Sequence, residues 1–233
     1  MKQLQSLFSG LAMVAAAAAM AASGPLAAAA TGPVVTTPQV RAELVAHAPE
    51  GVLPGKPLWL GLKIEHQRDW HTYWKNPGDS GLPTKLNFTL PEGLQAGPVQ
   101  WPTPSRLPTG PLMNYGYADT LLLPVAVTVP QGFKAEALDV KLQAEWLVCK
   151  DVCIPESGEF SLHLPAQAAT AAHGALFASA QAAVPQAAQG AQATAAVQEG
   201  ALVVQVTGLP ATWQGQTLQF FPETTGVIHN AAV

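Results

Sequence analysis

From Leu138 the chain reads Leu-Asp-Val-Lys-Leu-Gln-Ala-Glu-Trp-Leu-Val, an apolar–polar alternation that ends at Val148, and Gly158–Leu164 (Gly-Glu-Phe-Ser-Leu-His-Leu) resumes it. Period two marks a strand with one buried face, so the two segments predict the arms of a β-hairpin. Its tip falls on Cys149-Lys-Asp-Val-Cys153, which holds the only two cysteines of the 233-residue chain. Opposed residues of antiparallel strands have Cα atoms about 4.5–5.5 Å apart, inside the roughly 4.4–6.8 Å that a disulfide spans. A bond here is easy to make. It is a poor staple, because chain entropy makes closing about five residues worth only about 2 kcal/mol. A bond that closes so little chain is better suited to opening than to holding a fold.

The same alternation recurs upstream. Gln39–His47, Leu58–His66, Lys85–Leu90 and Leu121–Val129 are the clearest further strands, with shorter candidates at Thr72–Trp74 and Pro98–Trp101. Between them lie Pro54-Gly55, Asn76-Pro77-Gly78-Asp79, Pro91-Glu92-Gly93, Pro108-Thr109-Gly110-Pro111 and Pro130-Gln131-Gly132, whose residue types favour turns. With 21 prolines, 20 glycines and only 11% charged residues, the composition favours short strands over helices. Residues 39–165 therefore predict an all-β, immunoglobulin-like antiparallel sandwich. Trp59, Trp70, Trp74, Trp101 and Trp146 read as core and rim packing rather than a ligand cage.

The flanks differ in character. Residues 1–30 carry Lys2, an apolar run from Leu11 to Ala22 and the small residues Ala27–Ala30, the pattern of a signal peptide with cleavage between Ala28 and Thr31. No later segment approaches the roughly eighteen apolar residues of a spanning helix. Export to an oxidising space is expected, where thiols end as disulfides unless something supplies electrons. Residues 166–200, rich in alanine and glutamine, read as a linker with a short helix at Ala172–Val184, stopped by Pro185. Ala201–Thr207 and Thr217–Phe221 read as two strands, so residues 201–233 predict the start of a second, incomplete β-domain. Eleven Lys and Arg against fifteen Asp and Glu, with no basic cluster, make nucleic acid a poor partner.

Three chemistries fit the cysteine pair from spacing alone. In thiol–disulfide exchange, Lys150 would lower a thiolate pKa while Asp151, Glu145 and Glu156 would raise it. A copper or zinc site would need His66 or His71 beside Cys149 and Cys153, yet both histidines lie in the polar stretch Gln67-Arg68-Asp69, where a solvated loop is the simpler reading. Met113 is the only methionine beyond the leader, and no Cys-x-x-Cys or His-x-His occurs. The third reading is a passive sandwich module with an inert disulfide. Haem attachment, serine-hydrolase, phosphate-loop and dinucleotide motifs are absent.

Three segments in order, Trp70-His-Thr-Tyr-Trp-Lys-Asn-Pro-Gly-Asp-Ser-Gly-Leu-Pro83, Met113-Asn-Tyr-Gly-Tyr117 and Ala144-Glu-Trp-Leu-Val-Cys-Lys-Asp-Val-Cys-Ile-Pro-Glu156, resemble the periplasmic N-terminal domain of the DsbD/ScsB family of thiol:disulfide interchange proteins. The resemblance covers roughly Arg41–Pro165, and the Phe220–Asn230 tail is similar to the region that follows in longer members. It implies a protein-disulfide reductase whose redox-active centre is the Cys149–Cys153 disulfide, with no other cofactor. It also implies that Cys153 forms the mixed disulfide with partners, that Asn114, Tyr115, Gly116 and Tyr117 form a cap loop over the pair, with Gly116 as its permissive backbone, and that Tyr73 lines the site. The implied partners are periplasmic thioredoxin-like proteins of the disulfide-isomerase or cytochrome c maturation type. Electrons would arrive from membrane and C-terminal thioredoxin-like domains of the family architecture, which implies a natural protein at the inner membrane. The best-known members separate the cysteines by five residues; here the separation is three.

Overall fold

A computed structural model describes residues 32–213 and 215–232; the expected signal peptide lies outside the described residues. Eleven strands build the first part: β1 Val34–Thr36, β2 Val40–His47, β3 Trp59–His66, β4 Thr72–Gly78, β5 Lys85–Thr89, β6 Gln95–Val99, β7 Ser105–Thr109, β8 Leu112–Tyr117, β9 Thr120–Thr128, β10 Ala137–Cys149 and β11 Cys153–Pro165. They form antiparallel sheets in the orders β1-β2-β3-β9-β6, β11-β10-β5 and β4-β8-β7. The predicted all-β sandwich is what the chain adopts.

β10 shows how the sequence enforces this. Leu138, Val140, Leu142, Ala144, Trp146 and Val148 are buried, while Asp139, Lys141, Gln143 and Glu145 between them are exposed. The inward row meets Leu44, Leu60, Leu62, Ile64 and Leu123 of the five-stranded sheet in one core. Each large aliphatic side chain buried there contributes about 1.5–3 kcal/mol, so a register slip of one residue would reverse the whole row and is excluded.

The outer face of the five-stranded sheet is covered in turn. Helix α1, Gly174–Ala182, lays Phe177 and Ala180 on Val45 and Leu122. Gly61 makes room for this, since a Cβ there would stand 2.8 Å from Leu122 and 3.4 Å from Phe177. The helix lies within the predicted Ala172–Val184.

Three readings of the sequence need correction. β7 and β8 are not legible in the sequence; of the expected Pro108–Pro111 turn, only Gly110-Pro111 joins them, with Gly110 at φ +57°, while Pro108 and Thr109 pair within β7. Asn76-Pro77-Gly78 is the end of β4, where the pairing with β8 is irregular and Gly78 takes φ +88°, rather than a free turn. In the final segment, β13 Ala201–Thr207 is a strand, but its partner is β12 Gln192–Gln198, inside the expected linker; no strand forms at Thr217–Phe221.

That segment instead returns to the first sheets. Phe221 packs edge-on against Tyr115 at 5.3 Å and Trp74 at 6.3 Å. Asn76 Nδ2 donates to the Pro222 carbonyl at 2.6 Å, and Asn230 Nδ2 donates to Asp79 Oδ1 at 2.7 Å.

Candidate redox site

Cys149 and Cys153 are directly opposed in the β10–β11 register, and a disulfide joins them with Cα atoms 4.1 Å apart. Residues 150–152 make the turn, closed by the Lys150 N–H donating to the Val152 carbonyl at 3.1 Å. Alternation puts Cys149 on the outward side of β10, with Glu145 and Leu147 and away from Trp146 and Val148. It is nevertheless only 2% exposed, whereas Cys153 is open to solvent. Something outside the hairpin must therefore cover one sulfur and leave the other free.

The cover comes from the chain entering β4. His71 and Cys149 exchange both backbone hydrogen bonds, His71 N–H to the Cys149 carbonyl at 3.0 Å and Cys149 N–H to the His71 carbonyl at 2.9 Å. Tyr73, two residues on, brings its hydroxyl to 3.7 Å from Cys153 Sγ and is itself 1% exposed. Burial raises the pKa of the Tyr73 hydroxyl, so it meets the sulfur as a neutral group. Gly81 lies flat on this ring: a Cβ at that position would be 2.3–2.5 Å from Tyr73 atoms, and its φ of +101° suits glycine alone. Pro83 then pairs with Tyr73 as an isolated bridge. Beside the pair runs a groove lined by Leu82, Pro83, Trp146, Leu147 and Pro155.

The nearby charges are arranged differently from their order in the sequence. Lys150 Nζ donates to Asp69 Oδ2 at 3.0 Å, which lowers the carboxyl pKa of Asp69 and compensates the one cation expected to favour a thiolate. Glu156 lines the same groove, where it accepts from Trp146 Nε1 at 2.8 Å and from Thr37 Oγ1 at 3.0 Å. Glu145 stays exposed, 3.8 Å from Lys85. Asp69 had no signal in the sequence beyond its place next to Trp70.

The structure places Tyr73 at the sulfurs and Asn114–Tyr117 elsewhere. That segment is β8, not a cap loop. Tyr115 is 1% exposed and packed on Trp74 and Phe221, and Tyr117 donates its hydroxyl to the Pro102 carbonyl at 2.7 Å. Asn114 Oδ1 accepts from the Ser80 N–H and hydroxyl, both at 3.0 Å, so it reaches the site only by bracing the segment that leads to Gly81. Gly116 is no hinge: a Cβ there would stand 2.1 Å from the Thr72 carbonyl oxygen, so glycine is required for β8 to approach β4. The aromatic group expected at the sulfurs from Asn114–Tyr117 is Tyr73, with Gly81 against its ring.

Neither histidine is a solvated loop residue. His66 Nδ1 pairs with the Asp119 carbonyl at 2.8 Å and its Nε2 with Thr72 Oγ1 at 3.0 Å. His71 Nε2 is buried with no hydrogen-bond partner. Burial lowers the pKa of both imidazoles. The two sulfurs are bonded to each other, and among the described residues no three His, Cys, Asp or Glu side chains gather as a metal site.

Residues 41–165 match the family described as thiol:disulfide interchange protein DsbD, N-terminal. The chain belongs to this family. Among solved structures it is similar to the N-terminal periplasmic domain of ScsB from Proteus mirabilis, at 20% identity and a TM-score of 0.55, over 74% of this chain and 67% of that one. It also matches the DsbD N-terminal domain of Neisseria meningitidis in the reduced form, at 14% identity and a TM-score of 0.31, over 55% and 86% of the two chains. No curated protein matches. The chain thus carries a DsbD-type thiol–disulfide exchange domain, with its disulfide between Cys149 and Cys153.

Proposed function

We propose that this DsbD-type domain is a periplasmic protein-disulfide reductase, working through Cys153 as the attacking sulfur and Cys149 as the resolving one. The observation that carries the assignment is their unequal exposure: Cys153 is open to solvent and Cys149 is 2% exposed. Thiol–disulfide exchange needs the attacked and attacking sulfurs in line, which a partner can satisfy only at Cys153. In the reduced domain the Cys153 thiolate attacks one sulfur of a partner disulfide. A mixed disulfide forms and the partner's other sulfur leaves as a thiolate. Cys149 then attacks Cys153 Sγ, the internal bond forms, and the partner departs with both electrons. The sulfurs themselves carry the two electrons, with no further cofactor.

The periplasmic setting is supported by the exported-protein leader read in the sequence and by the similar ScsB structure, that of a periplasmic domain. The resemblance points to thioredoxin-like partners of the disulfide-isomerase or cytochrome c maturation type, and to a membrane-embedded reductase with a thioredoxin-like domain as electron source. Val152 at 60% and Leu82 at 62% exposure offer apolar surface beside the turn and on the Tyr73 cover, where a partner's backbone would press.

The test is transfer itself. The reduced chain, mixed with an equimolar oxidised periplasmic thioredoxin-like protein, is expected to become oxidised as the partner gains two thiols, followed by alkylation and mass shift. Reduction of the partner no faster than by free dithiothreitol at the same thiol concentration would overturn the reductase assignment.

A further inference from the structure

We propose that His71 is the proton acceptor that activates Cys149 for the step releasing the partner; this rests on the exchange reading above. The exchange of both backbone hydrogen bonds between His71 and Cys149 makes them a hydrogen-bonded antiparallel pair. Side chains of such a pair project to the same face from Cα atoms about 5.5 Å apart. Tyr73 follows on the same face, its ring edge-on to the imidazole at 5.3 Å, and its hydroxyl reaches Cys153 Sγ at 3.7 Å. The β4 entry therefore sets the Tyr73 hydroxyl by the exposed sulfur and pairs the backbone of His71 with the residue that carries the buried one.

His71 Nε2 has no partner in the oxidised protein, although it is buried. An unsatisfied buried polar atom costs about 1–3 kcal/mol, so its retention calls for an explanation. The disulfide form of Cys149 has no proton to offer; the reduced form has one.

The chemistry gives that pair a task. A buried thiol resists ionising, and only the thiolate attacks a disulfide. Burial lowers the pKa of His71, so the ring rests neutral with Nε2 unpaired, and the imidazolium formed in the step passes its proton on readily. With the partner held on Cys153, the Cys149 proton passes to Nε2 and the Cys149 thiolate attacks Cys153 Sγ. The Cys149–Cys153 bond forms as the Cys153–partner bond breaks. The partner sulfur leaves with the bonding pair and takes a proton from the imidazolium or from water. In the reverse direction, the imidazolium protonates Cys149 as it leaves. The other titratable groups around His71 are the His66 imidazole, which is held by Asp119 and Thr72, the neutral Tyr73 hydroxyl, both sulfurs, and the Lys150–Asp69 ion pair on the neighbouring turn.

The step can be isolated without a biological partner. The reduced full chain reacts with an aromatic disulfide reagent that releases a coloured thiolate twice, once when Cys153 attacks and again when Cys149 displaces the reagent from Cys153. In His71→Phe and His71→Gln the first release is expected to stay within about twofold of wild type. The second is expected to slow at least tenfold at neutral pH and to recover as pH rises, within the range of general-base effects. Glutamine retains polarity and cannot take the proton, so a slow second phase in His71→Gln with an unchanged melt separates proton transfer from packing. If the second phase keeps its rate and pH profile in His71→Gln, the assignment is wrong. If wild type itself shows no second phase, the exchange reading falls and this one falls with it.

Discussion

Cys149→Ser is expected to convert the domain into a trap, and Cys153→Ser to silence it. With Cys149 replaced, Cys153 remains exposed and able to attack a partner disulfide, but nothing can displace the partner, so the mixed disulfide accumulates and appears on a non-reducing gel as a reducible adduct. With Cys153 replaced, the remaining sulfur is the 2%-exposed Cys149, which a protein partner cannot reach, and exchange drops to background without an adduct. The two variants should melt close to the reduced wild type and only modestly below the oxidised one, because a bond spanning five residues restricts the unfolded chain by only about 2 kcal/mol. Equal adduct formation by both variants would mean that the exposure difference does not decide which sulfur attacks.

Tyr115→Ala and Tyr73→Ala are expected to fail in different ways. Tyr115, 1% exposed and packed between Trp74 and Phe221, belongs to the core; its truncation should cost about 3–5 kcal/mol, as for other buried aromatics, and lower the melting temperature. Rates at the sulfurs, measured on the folded fraction, should stay near wild type. Tyr73 is equally buried, but its hydroxyl is on Cys153 Sγ, so its loss also uncovers the disulfide. Reduction by a small thiol should speed up about tenfold, equivalent to about 1.4 kcal/mol of barrier. A tenfold faster reaction in Tyr115→Ala, with Tyr73→Ala unchanged, would restore Asn114–Tyr117 as the cap.

The hairpin was legible because β10 alternates through thirteen residues and only one register buries its apolar row. β8 was not, since four of its last residues, Asn114, Tyr115, Gly116 and Tyr117, are all buried and no alternation survives. Its asparagine and glycine are weak strand formers, and Gly116 is there for the Thr72 carbonyl rather than for flexibility. The cysteines could be found from the sequence, and Tyr73 from the family resemblance. His71 could not be separated from a loop histidine, because what distinguishes it is a backbone pairing to Cys149, far along the chain. Lys150 misled for a similar reason: its effect on a thiolate depends on Asp69, brought to it only by the fold. The tail was misread because Phe221, which would end a strand by propensity, finds Trp74 and Tyr115 instead.

The central claim is that Cys149–Cys153 is a bond made to open in a domain that stays folded. Equilibrating the oxidised chain across a glutathione or dithiothreitol series, while recording both thiol content and circular dichroism at each point, tests it most directly. The expected result is a single two-electron transition at a defined potential, with the β-sheet spectrum unchanged from the oxidised to the reduced end. A disulfide that resists the whole series until the sheets melt, or a spectrum that collapses as the thiols appear, would contradict it and leave a structural cross-link.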